Sequence, residues 1–147
     1  GDIRQEALDS VRLGYLEESR QRWPEAARAY KRGFEGHALM EQHNYAMNGL
    51  AGLARVAREQ GDEELSYQHA VTVWETLRGQ PVDATIETTR TYRTCYEIFV
   101  DHRDPRAAVV LKAAVNQLQA RATTIDELEH VKLFWQVPDH RYFLQYI

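Results

Sequence analysis

The sequence predicts an all-α protein, a stack of about three helix pairs closed by a C-terminal capping helix. Three observations predict it. Apolar residues recur at spacings of three and four along nearly all of the 147 residues. The apolar stretches are interrupted at helix stop and start residues, such as Gly61-Asp62 and Asp104-Pro105. Strand signals are nearly absent: no alternating β-branched run occurs, and Asn48-Gly49 lies inside a helical pattern rather than between two strands.

The first helix is expected over about 5–21, with Leu8, Val11, Leu13, Tyr15 and Leu16 as a broad apolar face. The second opens at Pro24, where a missing N–H costs nothing, and carries Ala26, Ala27, Tyr30 and Phe34 until Gly36 loosens its end. The third covers about 41–60, with Tyr45, Leu50, Leu53, Val56 and Ala57 inward. Gly61 suits the left-handed residue after a helix, and Asp62 can cap the next start. The fourth covers about 63–78, with Leu65, Ala70, Val73, Trp74 and Leu77, and Gly79-Gln80-Pro81 ends it. The fifth, about 83–100, carries Ile86, Tyr92, Cys95, Tyr96 and Phe99. The sixth, about 105–121, carries Ala108, Val109, Leu111, Val115 and Leu118. The seventh starts after Thr124 with Ile125, Leu128, Val131, Phe134 and Trp135, until Pro138 breaks it and leaves an aromatic-rich tail over 141–147.

Composition sets bounds. The formal charge of −4 argues against a nucleic-acid binder, which carries a basic excess. A single cysteine, Cys95, rules out an internal disulfide framework and favours a reducing, cytoplasmic setting. No apolar run of about 18 residues occurs, so no membrane-spanning helix is expected. The first residues open almost directly into a helical pattern, and the first pair has no obvious polar cap. Both suggest a fragment of a larger protein.

Self-similarity defines the units. Pro24-Glu25-Ala26-Ala27 and Pro105-Arg106-Ala107-Ala108 lie 81 residues apart, close to two periods of about 40. Ala26, Ser66 and Ala107 align as small residues at steps of 40 and 41. Leu13-Gly14, Leu53-Ala54 and Thr94-Cys95 align in the preceding helices, as do Tyr30, Ala70 and Leu111, and Gly33, Val73 and Ala114, as core positions. The units are about 5–40, 41–80 and 83–121, with the capping helix and tail over 124–147.

Leu13-Gly14 and Ala26-x3-Tyr30 resemble the pattern of the tetratricopeptide (TPR) family, which has a Leu-Gly pair in its first helix and a small residue followed by an aromatic in its second. The leading Trp of that family is absent, with Ser10, Leu50 and Thr91 standing there. The period of about 40 exceeds the usual 34 or so. It is similar to the longer TPR-like repeats in the C-terminal sensor regions of large bacterial signalling ATPases and transcription activators. The ending, Phe134 to Arg141, also resembles the close of such arrays. The resemblance implies a right-handed α-solenoid of antiparallel helix pairs whose first helices line a concave face. Tyr15, Asn48, Arg55, Arg58, Tyr92, Arg93 and Tyr96 are its partner-binding positions. Some TPR domains hold a peptide's carboxylate there with Asn and a basic residue, and Asn48, Arg55 and Arg58 resemble part of such a clamp. Glu18 departs from it in the first unit.

Against each of these stands an ordinary solvated polar face, and a stripe such as Tyr92, Tyr96 and Phe99 is usually core. None of the six histidines shows the paired spacing of a zinc motif, so no metal is expected. Asp101-His102-Arg103-Asp104 reads as a polar connection with a cap rather than a catalytic cluster. Glu17-Glu18 and Glu63-Glu64 are adjacent and point apart on a helix. No phosphate loop, nucleophile elbow or H-E-x-x-H motif is present, so neither catalysis nor a cofactor is expected. The sequence therefore reads as an interaction module of a cytosolic signalling or regulatory protein, binding a peptide, a neighbouring domain or a second copy. The alternative is a sensor in which a small ligand or signalling peptide controls an effector domain.

Overall fold

The computed structural model describes residues 2–78, 80 and 86–147, with Ile86 described in its backbone alone. These residues form eight α-helices and no strand. They are α1 (Ile3–Ser19), α2 (Trp23–Leu39), α3 (His43–Glu59), α4 (Glu63–Leu77), α5 (Ile86–Asp101), α6 (Arg106–Ala122), α7 (Leu128–Gln136) and α8 (Pro138–Leu144). The chain divides into two compact units, Gly1–Pro81 and Val82–Ile147. In the first unit each helix packs on the next, and α1 also reaches α3. In the second, α5 packs on α6, α7 on α8, and α8 returns to both α5 and α6. The expected stop at Gly79 and Pro81, the start at Asp83 and the packing of Ile86 lie outside the described residues.

The helices end in a repeated way. Gln21, Glu41 and Gly61 have φ of 58°, 57° and 81°, and Arg103 has 52°. The first three fall at steps of 20 residues, one helix plus one turn each. At each of the four ends the next N–H reaches back into the last turn: Arg22 donates to the Glu17 carbonyl, Gln42 to His37, Asp62 to Ala57 and Asp104 to Phe99, all at 2.9 Å. This left-handed turn satisfies carbonyls that a helix end otherwise leaves unpaired. Only Gly61 adopts it without a Cβ; the other three carry roughly 1–2 kcal/mol of backbone strain. Starts are capped more variably. Asp62 accepts from the Leu65 N–H at 3.1 Å, and Asp104 from the Arg106 N–H at 2.8 Å.

Small residues set the helix approaches. Gly14, Ala54 and Cys95 are all buried, and at Gly14 the neighbouring α2 approaches closely through the Tyr30 ring. Ser66 donates its hydroxyl to the Ala54 carbonyl at 2.9 Å, tying α4 to α3. Gly36 does not loosen α2, which continues to Leu39. A Cβ at Gly36 would lie 2.9 Å from that of Ala7, so this glycine serves close approach to α1 rather than termination.

Three expectations about faces and ends are corrected. The buried strip of α1 is Ala7, Val11, Gly14 and Glu17; Leu13 and Leu16 turn away and are exposed. In α6 the buried positions are Val110, Ala114 and Leu118, each a full turn apart, which leaves Leu111 half-buried and Val109 exposed. Pro138 ends α7 as expected but also opens α8 as a first-turn residue, so the tail begins as a helix that runs to Leu144. No described helix is long and apolar enough to cross a membrane.

Candidate functional site

Two polar–aromatic clusters hold most of the expected site residues, one in each unit.

The first is built around Tyr30 on α2, which is fully buried. Its ring lies against two glycines: a Cβ on Gly52 would sit 2.6 Å from the ring, and one on Gly14 closer still. Val11, Ala26 and Val56 complete the apolar surroundings. The hydroxyl therefore ends in a dry interior and needs partners. It donates to Glu18 Oε1 and accepts from Arg55 Nη2 at 3.2 Å. Arg55 Nε also donates to Glu18 Oε2 at 2.9 Å. The guanidinium carbon lies 5.9 Å from the Tyr15 ring centre and 5.7 Å from that of Tyr30, within cation–π range. Burial, then the Glu18 carboxylate, hold the Tyr30 hydroxyl protonated well above its ordinary range. Burial alone would lower Arg55, but Glu18, Tyr30 and Tyr15 together outweigh it, so its pKa is raised and the guanidinium stays charged.

Arg55 was expected on an open concave face. The structure places it in an ion pair with Glu18 that is only 18% exposed on the arginine side and 23% on the glutamate side. Glu18, which disfavours a carboxylate clamp, is here the counter-ion that Arg55 requires. Tyr15 packs edge-on against Tyr30 with ring centres 5.7 Å apart. Asn48 and Arg58, also on α3, are half-buried.

The second cluster lies on α5. Tyr92 is 3% exposed, so its ring is core rather than a contact surface. Arg93 and Tyr96 are half-buried and meet α8. Arg93 pairs with Glu97 at 3.1 Å on its own helix and with Asp139 at 3.4 Å, while Arg90 reaches Asp139 at 3.3 Å. The Arg93 guanidinium stacks 4.0 Å over Tyr142. Tyr96 meets the rings of Tyr142, Phe143 and Tyr146, and a hydrogen bond with Tyr146, then burial, push its hydroxyl up to about 12. Phe143 is fully buried. Arg90 and Asp139 were not foreseen as site residues, because no local signal in the sequence pairs charges some 46–49 positions apart.

Beside this cluster, His140 on α8 is buried, with Nδ1 against the Phe134 carbonyl at 2.8 Å and its ring 4.4 Å from that of Phe134. The Arg121 guanidinium of α6 also lies over Phe134, 5.2 Å from its ring centre. Burial lowers the His140 pKa and Arg121 lowers it further, while the Phe134 carbonyl and Asp139 oppose them. Among the described residues no three His, Cys, Asp or Glu side chains converge in a way that could hold a metal ion.

Comparison with known proteins adds nothing to this geometry: no family model, curated protein or solved structure matches the chain.

The arrangement can do two things chemically. The Tyr30 cluster neutralises its own charges inside the first unit. The α5 cluster presents guanidinium and aromatic groups to a helix, and does so at a partly exposed rim, with Arg90 and Arg93 36% and 34% exposed.

Proposed function

We propose that this chain is a protein-interaction module, a right-handed stack of antiparallel helix pairs of the tetratricopeptide kind, within a larger cytosolic signalling or regulatory protein. It recognises a peptide or a neighbouring domain through residues on the first helix of each pair. The observation that carries this reading is the α5 face, where Arg90, Arg93 and Tyr96 receive a short helix. Helix recognition by a few aromatic and charged anchors is a recurrent mode of protein association. The 20-residue turn spacing and the buried small residues at 14, 54 and 95 support the repeat architecture. A small-ligand sensor would draw on Arg55 and Arg58 together, and Arg55 is already engaged by Glu18 and Tyr30.

The test is a pull-down comparing the chain with an Asn48→Ala/Arg58→Ala variant. Both side chains are half-buried on α3. Loss of a specific partner from the variant alone is expected. Retention of that partner would place recognition away from α3 and contradict the reading for the first unit.

A further inference from the structure

The C-terminal helix has the features of a bound ligand. α8 spans seven residues, too few for a stable helix in water, so its helical form depends on docking. Its contacts with α5 come from Asp139, Tyr142 and Phe143, positions i, i+3 and i+4 that share one helical face. Phe143 is the buried anchor, Tyr142 lies under Arg93, and Asp139 meets two arginines. α7 adds no buried residue, and it is joined to α8 by the His140–Phe134 hydrogen bond and ring contact. Residues 128–144 therefore form an arm held on α5 and α6 by one short helix and, on α7, by Arg121 of α6 lying over Phe134. Asp139 is buried, but the two arginines that meet it are partly exposed, so water can take its place beside them when the helix leaves.

We infer that the α5–α6 face around Arg90, Arg93 and Tyr96 is a docking groove for a helix of a partner protein, and that α8 occupies it in cis. The partner helix carries an acidic residue followed three and four places later by two aromatics, the pattern of Asp139, Tyr142 and Phe143. Charge complementarity selects it: two guanidiniums on the rim ask for a carboxylate, and the aromatic floor of Tyr96 asks for a ring beside it. Tethering gives α8 an effective concentration of order millimolar, so the partner must bind the open groove well to displace it. The inference rests on reading this chain as an interaction module, and it names the chemistry of the partner.

The probe is a fluorescent synthetic peptide copying residues 136–147, titrated into three full-length chains: wild type, Asp139→Asn/Phe143→Ala, and the latter with Arg93→Glu added. The loosened chain is expected to bind the peptide at least tenfold more tightly than wild type, and Arg93→Glu to remove at least tenfold of that. Equal, weak binding to the loosened and wild-type chains, with helical circular dichroism retained, overturns the inference. Should the loosened chain unfold, a wild-type chain with a protease site placed between Thr124 and Ile125 supplies the second measurement. After cutting, excess peptide is expected to release the arm; an arm that stays bound against a hundredfold excess marks α8 as a permanent core element and overturns the inference. Dimers that the peptide fails to compete would assign the groove to the α8 of a second copy and overturn the partner assignment. The Asn48/Arg58 pull-down reads α3 and is independent of the arm, so failure of the module reading and failure of the groove are distinguishable.

Discussion

The two units use the same chemistry, arginine paired with a carboxylate beside tyrosine rings, to different ends. In the first unit the pair is internal. Glu18, Arg55 and Tyr30 come from three successive helices, and their polar atoms satisfy one another around a ring pressed between Gly14 and Gly52. In the second unit the pair lies at a rim and joins α5 to a helix of seven residues. The difference teaches what burial does to an ion pair. Where water is excluded, losing either partner leaves an uncompensated charge, so the pair enforces one packing of the helices. Where water reaches both arginines, as beside the buried Asp139, loss of the carboxylate leaves cations that water can solvate, and the pair serves to position a segment that other contacts also hold.

The sharpest way to break this comparison is Arg55→Met. It strands the Glu18 carboxylate and removes a donor from the Tyr30 hydroxyl. Breaking a fully buried pair costs about 3–5 kcal/mol, and the residual exposure of this one lowers the expected loss to roughly 2–3 kcal/mol. Denaturant unfolding of the first unit, followed by a probe within it, measures the loss. Adding Glu18→Gln should recover part of it, because no uncompensated charge then remains. A double variant as unstable as the sum of the two singles would contradict the coupling.

Gly52→Ala comes next. The new methyl meets the Tyr30 ring, and overpacking of this kind costs about 1–3 kcal/mol, offset by the better helix propensity of alanine. A net loss of roughly 1–2 kcal/mol is expected in the same assay, and a gain would show that the ring has room. In the second unit Asp139 is buried but its two arginines are partly exposed, so Asp139→Asn strands no buried charge and should cost about 1 kcal/mol. A loss as large as that of Arg55→Met would erase the distinction between the units.

A smaller effect sharpens the turns. Gln21→Gly and Arg103→Gly each relieve a left-handed Cβ-bearing residue and should stabilise their units by about 0.5–1 kcal/mol, less the added chain entropy of glycine. Calorimetry on each variant checks the sign. The smallest is pH dependence in the second unit. His140 in the folded chain has a pKa below its ordinary value, so it favours the neutral form. Its stabilising contribution is complete above about pH 6.5 and is lost as pH falls from there toward the lowered folded value. His69 in α4 is shifted the same way by burial, so a His140→Asn chain is the control that isolates the second unit. Unchanged acid sensitivity in that chain would exclude His140 as the source.

Much of the scaffold was legible in the sequence because it rests on local signals. The small residues at 14, 54 and 95 are buried, and the Gly61-Asp62 turn and the Asp104 cap form as their chemistry requires. What was not legible depends on partners distant in sequence. Gln21, Glu41 and Arg103 take the left-handed turn with no residue preference to announce it, because the repeat packing fixes helix length. Arg55 reads as an exposed cation until Glu18, 37 residues earlier, is brought beside it. Tyr92 and Tyr96 look alike in a helical stripe, yet one faces the core and the other faces α8. Pro138 signals both a stop and a start, and only the packing of Phe143 decides that a helix follows.

Native-state hydrogen exchange tests the central contrast most directly, because it reads the opening of each helix separately. Helices α1 to α4 are expected to open together at high cost, α8 to open at a much lower free energy than α5 and α6, and Asp139→Asn to lower protection in α8 alone. Exchange of α8 in step with α5 and α6, unaltered by Asp139→Asn, would contradict that contrast.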